Sequence, residues 1–298
     1  MTSERNTLLL MIEKIITFGQ MIKFSHTIFA LPFVLSSVVL AAKQDYTIQN
    51  RDIFWIILAM VGARSAAMGF NRIVDASFDA KNPRTSKRAI PTGEITRVQS
   101  IVFVVLFSFL FLISSAQLAM ICFYCGIPVL MLLFGYSYSK RFTYLCHIYL
   151  GVVISLAPVG AWVAITKSLD WPIFILSLAL LTHISGFDIL YACQDYSFDQ
   201  QEGLYSIPAQ YGISASLFIS SLIHVICFLS FVAIYFIFDM NFIYFLTLII
   251  IGIALLIEHL IVKPDNLSKV PVAFFHINSA ISLVFFAGIA GDILICQM

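Results

Sequence analysis

The chain has 298 residues, 60% hydrophobic and 11% charged, with a formal net charge of +1. A soluble globular chain carries about 25% charged residues, so this composition excludes an ordinary soluble domain and a basic nucleic-acid-binding protein. It describes an integral membrane protein of the all-α class, whose surroundings are the lipid bilayer; no nucleic acid and no obligate protein partner is implied.

A bilayer core needs about 20 apolar residues per helix, and nine segments qualify: 24–42, 53–70, 98–114, 118–137, 145–166, 172–191, 214–238, 242–262 and 272–295. The first follows a polar run and lacks a small-residue cleavage site, so it reads as a span and not as a cleavable leader. The second contains Arg64 and runs into Asn71-Arg72-Ile73-Val74-Asp75-Ala76-Ser77-Phe78-Asp79. The fourth ends at Lys140-Arg141, and the sixth ends in Asp188-x2-Tyr191-x3-Asp195-x3-Asp199. Pro32, Pro128 and Pro158 fall within spans, where neighbouring helices re-satisfy the freed backbone groups.

The cysteines at 122, 125, 146, 193, 227 and 296 lie mostly in apolar segments and read as buried thiols; Cys122-x2-Cys125 has no second pair to complete a zinc site. His147, His183, His224, His259 and His276 are scattered over separate spans without ligand spacing and read as packing or interfacial residues. His26, close to Lys23, fits either reading. No linker divides the chain. It reads as a single domain, 1–298, of two pseudo-equivalent halves, roughly 20–140 and 141–298, each carrying one acidic cluster at the same interval: Asp75 to Asp195 and Asp79 to Asp199.

Charge placement orients the bundle. Of the 17 lysines and arginines, Lys43, Arg51 and Lys167 fall in loops on one side and Arg64 lies within the second span; the others, Arg5, Lys14 and Lys23 among them, fall on the opposite side. The positive-inside rule makes that side cytoplasmic, as in a bacterial inner membrane, and both acidic clusters lie there.

On a straight helix Asn71, Asp75 and Asp79 share a face, as do Asp188, Tyr191, Asp195 and Asp199. Carboxylates in such a stripe repel one another and are costly within a bilayer. They are expected to line a wet cavity near the interface and to be neutralised there. Mg²⁺ takes oxygen ligands and commonly binds one or two carboxylates together with substrate phosphates. Arg84, Arg88, Lys140 and Arg141 lie on the same side, and an arginine fork suits a phosphate. Acid and base together describe a metal–diphosphate site: Asp75, Asp79, Asp195 and Asp199 as metal ligands and catalytic groups, and the four basic residues as diphosphate contacts.

These motifs resemble the UbiA-type intramembrane prenyltransferases: Asn71-x3-Asp75-x3-Asp79, Arg84-Thr85-x2-Arg88 followed by Pro91-x-Gly93, Asp188-x2-Tyr191-x3-Asp195-x3-Asp199, Tyr136-x3-Lys140-Arg141, and Lys23-Phe24 at the first span. The resemblance implies nine transmembrane helices around a central cavity. It implies Mg²⁺-dependent transfer of a polyprenyl group from polyprenyl diphosphate to an aromatic acceptor, with Asn71, Asp188 and Tyr191 as further substrate contacts. Arg72 stands where many members have Asp; one position off the Asn–Asp–Asp face, it leaves metal binding intact. Lys23-Phe24-Ser25-His26-Thr27 and Gln194-Asp195 resemble the 4-hydroxybenzoate polyprenyltransferase branch, which serves ubiquinone or menaquinone synthesis. An aromatic carboxylate needs a cation in the cavity, and Arg64 or Lys23 would supply it. A dihydroxynaphthoate acceptor is the alternative. From another class, a cation-coupled transporter would place its carboxylates near the midplane at broken helices, whereas these end their spans beside basic loops.

Overall fold

The structure, a computed structural model, describes residue 14 and residues 16–296. Arg5 and the side chain of Cys296 lie outside the described set. The chain is α-helical, and nine described segments are long and apolar enough to cross a membrane. In chain order the helices are α1 (Leu31–Lys43), α2 (Asn50–Val74), short α3 (Ala76–Lys81), α4 (Arg97–Leu118), α5 (Met120–Ser139), α6 (Cys146–Thr166), α7 (Trp171–Ala192), short α8 (Tyr196–Gln201), α9 (Ile207–Ile237), α10 (Phe242–Ile261) and α11 (Asn278–Cys296).

Helix boundaries follow local chemistry. Pro32 in the first turn of α1 suits a helix start, and residues Phe24–Phe29 before it wind as a tighter 3-10 turn, where the sequence suggests continuous helix from 24. Thr96 and Gln99 form a reciprocal capping box on α4, at 3.2 and 2.9 Å. The Ser206 hydroxyl accepts from Ala209 N at the start of α9; that helix begins seven residues earlier than its apolar run suggests and kinks at Gly212, whose φ is +80°. The N-terminus of α10 is capped from another helix: buried Asp292 of α11 accepts from Asn241 N at 2.8 Å and Tyr244 N at 3.0 Å.

Two features position the site. First, α7 runs through the middle of the bundle, packed between α6 and α9. Its contact with α6 is close because Gly151 lets the backbones meet, as small residues do between membrane helices. A Cβ on Gly151 would lie 2.5 Å from the Leu181 carbonyl oxygen and 2.2 Å from Ser185 Oγ. Gly151→Ala is therefore expected to lower stability by roughly 1–3 kcal/mol, as overpacking does. Gly160→Ala on the same helix, where a Cβ meets nothing within 4 Å, should be nearly neutral; thermal unfolding of the two variants in detergent makes the comparison. Second, the last span opens with a π-helical stretch, Val272–Ile277. It turns Phe274 onto Tyr191, with ring centroids 4.2 Å apart. Such stretches often occur at functional sites.

Candidate active site

Both acidic clusters sit where a long helix breaks. α2 ends at Val74, Asp75 is its C-cap, and Asp79 lies on the separate short helix α3. α7 ends at Ala192, a 3-10 turn carries Asp195, and Asp199 lies on α8. The stripes are thus not faces of straight helices, as their spacing suggests. The four-residue step survives the first break because Asp75 N donates to the Asn71 carbonyl and Asp79 N to the Asp75 carbonyl. The two short helices are joined by a Lys81–Glu202 bridge of 2.6 Å.

An open cavity of about 250 Å³ lies between these breaks. The residues expected to contact metal or substrate all line it: Lys23, Arg64, Asn71, Asp75, Asp79, Arg84, Arg88, Lys140, Arg141, Asp188, Tyr191, Asp195 and Asp199.

At the mouth each of the four carboxylates faces a basic side chain, and Asp79 faces two. The Arg84 fork closes on both oxygens of Asp195, Nε at 2.9 Å, with its remaining nitrogen 2.7 Å from the Tyr191 hydroxyl. Arg88 donates to both oxygens of Asp79 at 2.6 and 2.8 Å. Lys140 Nζ lies 3.8 Å from Asp199, and Arg141 lies 3.7 Å from Asp75. Arg141 is also tethered to the Val74 carbonyl at 2.9 Å and stacked against Tyr138 and Phe78. Asn71 Nδ2 donates to Asp75 at 2.8 Å.

Electrostatics follow from this pairing. Burial, and then the Asp79 charge, push the Asp75 carboxyl above its ordinary value. Burial alone would lower the Lys140 ammonium, but nearby carboxylates, Asp199 first among them, outweigh it and raise it. Lys23 is lowered by burial and by the Arg72, Arg88 and Arg84 charges.

The donor set fits divalent magnesium. Four carboxylates and an amide offer only oxygen ligands, which is the preference of a hard cation. One of those oxygens, Asp199 Oδ2, is buried without a hydrogen-bond partner. Asp75, Asp79, Asp195 and Asp199 are the residues that would hold such ions.

Three further residues belong to the site. Arg72 is buried, donating to the Met21 carbonyl at 3.2 Å and to Asn71 Oδ1 at 3.3 Å, and it lies 4.0 Å from Asp79; it is part of the cluster and not beside it. Asn82 Nδ2 donates to Asp195 at 3.0 Å. His147, read from the sequence as packing or interfacial, is fully buried, with Nδ1 2.7 Å from Asp188.

Below the mouth the walls become aromatic. Phe29, Phe187 and Phe274 meet at centroid distances of 5.0 to 5.4 Å, with His26 against Phe29 and Phe274. Arg64, seven residues before Asn71 and so about 10 Å deeper along α2, donates to the Lys23 carbonyl at 3.2 Å. Its buried Nε has no partner.

A helical membrane bundle whose polar mouth holds two aspartate clusters above an aromatic-walled cavity is the arrangement of an intramembrane polyprenyltransferase. The model of the UbiA prenyltransferase family matches residues 30–280, and the chain belongs to that family. The chain is 27% identical to the 4-hydroxybenzoate octaprenyltransferase of Psychromonas ingrahamii over 229 residues, 76% of this chain and 78% of that protein. Further proteins of the same name are 27–32% identical over 54–66% of their own length. In fold the chain is similar to a UbiA homolog from Aeropyrum pernix (TM-score 0.77, 24% identity, 92% of this chain and 98% of that one). It is also similar to a UbiA homolog from Archaeoglobus fulgidus bound to GPP and Mg²⁺ (TM-score 0.70, 17% identity, 92% and 99%).

Proposed function

We propose that this enzyme transfers a polyprenyl group from polyprenyl diphosphate to an aromatic hydroxy acid, 4-hydroxybenzoate, in quinone synthesis, using Mg²⁺ at the cytoplasmic face of the membrane. The observation that carries the reading is the vertical order of groups in one cavity. Carboxylates with basic partners lie at the mouth, aromatic rings below, and at depth the half-buried Arg64 keeps a buried Nε without a partner.

Asp75, Asp79, Asp195 and Asp199 would hold the metal, with Asn71 fixing the Asp75 carboxylate. Magnesium held there would supply positive charge where the departing diphosphate develops negative charge. Arg84, Arg88, Lys140 and Arg141 turn from their carboxylates to the diphosphate oxygens. Phe29, Phe187, Phe274 and Tyr191 line the path of the allylic cation, stabilise it through their ring faces and exclude water. Arg64 binds the carboxylate of the acceptor, and Lys23, above it, contributes positive charge. Among the described residues Asp188 is the cavity carboxylate that pairs with no lysine or arginine, its partner being His147. It takes the proton that the ring releases on substitution.

The test is prenyl transfer by the full chain in nanodiscs, with labelled prenyl diphosphate and a panel of acceptors: 4-hydroxybenzoate, a dihydroxynaphthoate and a phenol without a carboxylate. Transfer to the benzoate above the other two supports the proposal; preference for the naphthoate or the uncharged phenol overturns the acceptor assignment. In the same assay Arg64→Ala is expected to raise the acceptor KM by about 10- to 100-fold, the worth of a buried charged hydrogen bond, and to leave the KM for the diphosphate unchanged. An unchanged acceptor KM removes Arg64 from the carboxylate site.

A further inference from the structure

A second polar cluster lies inside the bundle, apart from the carboxylates of the mouth. His224 of α9 and the adjacent Glu258 and His259 of α10 bring three ligand atoms within 4.8 Å of one another. His224 Nδ1 is 2.9 Å from His259 Nε2 and 3.5 Å from Glu258 Oε2. The sequence separates the two histidines by 35 positions on different spans, which is why it shows no ligand spacing.

Two of the three groups are held from behind. His224 Nε2 faces the His183 backbone carbonyl at 3.3 Å. That nitrogen therefore carries the proton, and Nδ1 presents its lone pair to the cluster. Ligating histidines are typically oriented by such a carbonyl. Glu258 Oε1 accepts from Asn278 Nδ2 at 2.7 Å. The seat for the His224 ring exists because residue 186 is glycine: a Cβ there would lie 2.2 Å from ring atoms.

One group is left unpaired. Glu258 is fully buried, and its Oε2, turned toward His224, has no hydrogen-bond partner. Among the described residues no lysine or arginine forms an ion pair with it. A buried carboxylate is costly unless it is paired or coordinates a metal. The spacing suits a small divalent ion: tetrahedral bonds of about 2.0–2.1 Å place ligand atoms about 3.3 Å apart; His224 Nδ1 lies 2.9 and 3.5 Å from its two partners, and all three ligand atoms fall within 4.8 Å. Two imidazoles and one carboxylate suit zinc and its neighbours, whereas the oxygen-only mouth suits magnesium. His259 is partly exposed, which gives an ion a way in.

We propose that His224, Glu258 and His259 form a site for a divalent transition-metal ion of the zinc class, with water as the fourth ligand, bridging α9 and α10 independently of the magnesium chemistry at the mouth.

The test uses the full-length protein purified without a histidine tag, incubated with Zn²⁺, then washed with a weak chelator in excess Mg²⁺. Metal is counted by mass spectrometry, and Co²⁺ loading reports the geometry through its visible absorption. The expected result is about one zinc per chain in the wild type and in Asp195→Ala, a four-coordinate Co²⁺ spectrum, and a higher unfolding temperature with Zn²⁺ than without. His259→Ala and Glu258→Gln should lose the ion and the thermal shift; Glu258→Gln keeps the shape of the side chain and provides a folded comparison. Wild-type protein that holds no zinc above background overturns the proposal and leaves a proton-sharing Glu–His network. Equal zinc in both variants also overturns it, by placing the ion elsewhere.

Discussion

Asp75→Ala and Asp195→Ala are each expected to lower prenyl transfer by about a thousandfold or more at saturating magnesium, given what loss of a single charge-stabilising group costs. The two aspartates come from opposite breaks, after α2 and after α7, so on the proposed function each change would remove a ligand from a different side of the mouth. The losses should not multiply. Groups that act as a unit give a double variant little worse than either single one, and that near-equality separates a shared metal site from two unrelated structural defects. The fold should tolerate both changes. Asp75 is partly exposed, and the Arg84 released by Asp195→Ala is itself 30% exposed and able to solvate. Initial rates across a magnesium titration, with size-exclusion profiles of the same samples, make the measurement. Full activity in both variants removes the metal-site reading.

Arg84→Ala should cut kcat/KM for the prenyl diphosphate by about 10²- to 10³-fold, the cost of removing one preorganised donor to a developing charge. The direction of its effect on magnesium is the sharper expectation. Arg84 occupies both oxygens of Asp195, so deleting it frees a metal ligand, and half-saturation by magnesium should move to lower concentration while the diphosphate KM rises. A purely structural role for Arg84 would move both the same way. Arg84→Lys keeps the charge and loses the fork, so it should recover only part of the activity. Isothermal titration of magnesium without substrate reads the first shift, and steady-state kinetics the second.

Much of this site is legible in the linear chain, because charge in an apolar sequence is conspicuous. Asp75, Asp79, Asp195 and Asp199 stand out by spacing, and the basic loops by the sidedness of lysine and arginine. What is hidden depends on how helices break and pair. Arg72 lies one step off a straight helical face, yet the carbonyl of Met21, fifty-one positions away, takes its guanidinium. His147 resembles any apolar-segment histidine until α6 packs on α7 and sets it against Asp188. The helix ends at Val74 and Ala192 leave no glycine or proline as a marker. The π-helical stretch that aims Phe274 has no periodicity distinguishable over six residues. His224 and Glu258 meet only once α9 lies against α10.

The matching of four acids with four bases has a consequence for how the catalytic cycle closes. When the inorganic product leaves with its ions, Arg84, Arg88, Lys140 and Arg141 have carboxylates within reach to return to. On the proposed function, these side chains would compete with the ions of the departing product for the same carboxylate partners. Because ion and diphosphate compete with the same set of pairs, each must strengthen the other's hold by an equal factor. Inhibition by inorganic diphosphate should accordingly fade as free magnesium is withdrawn.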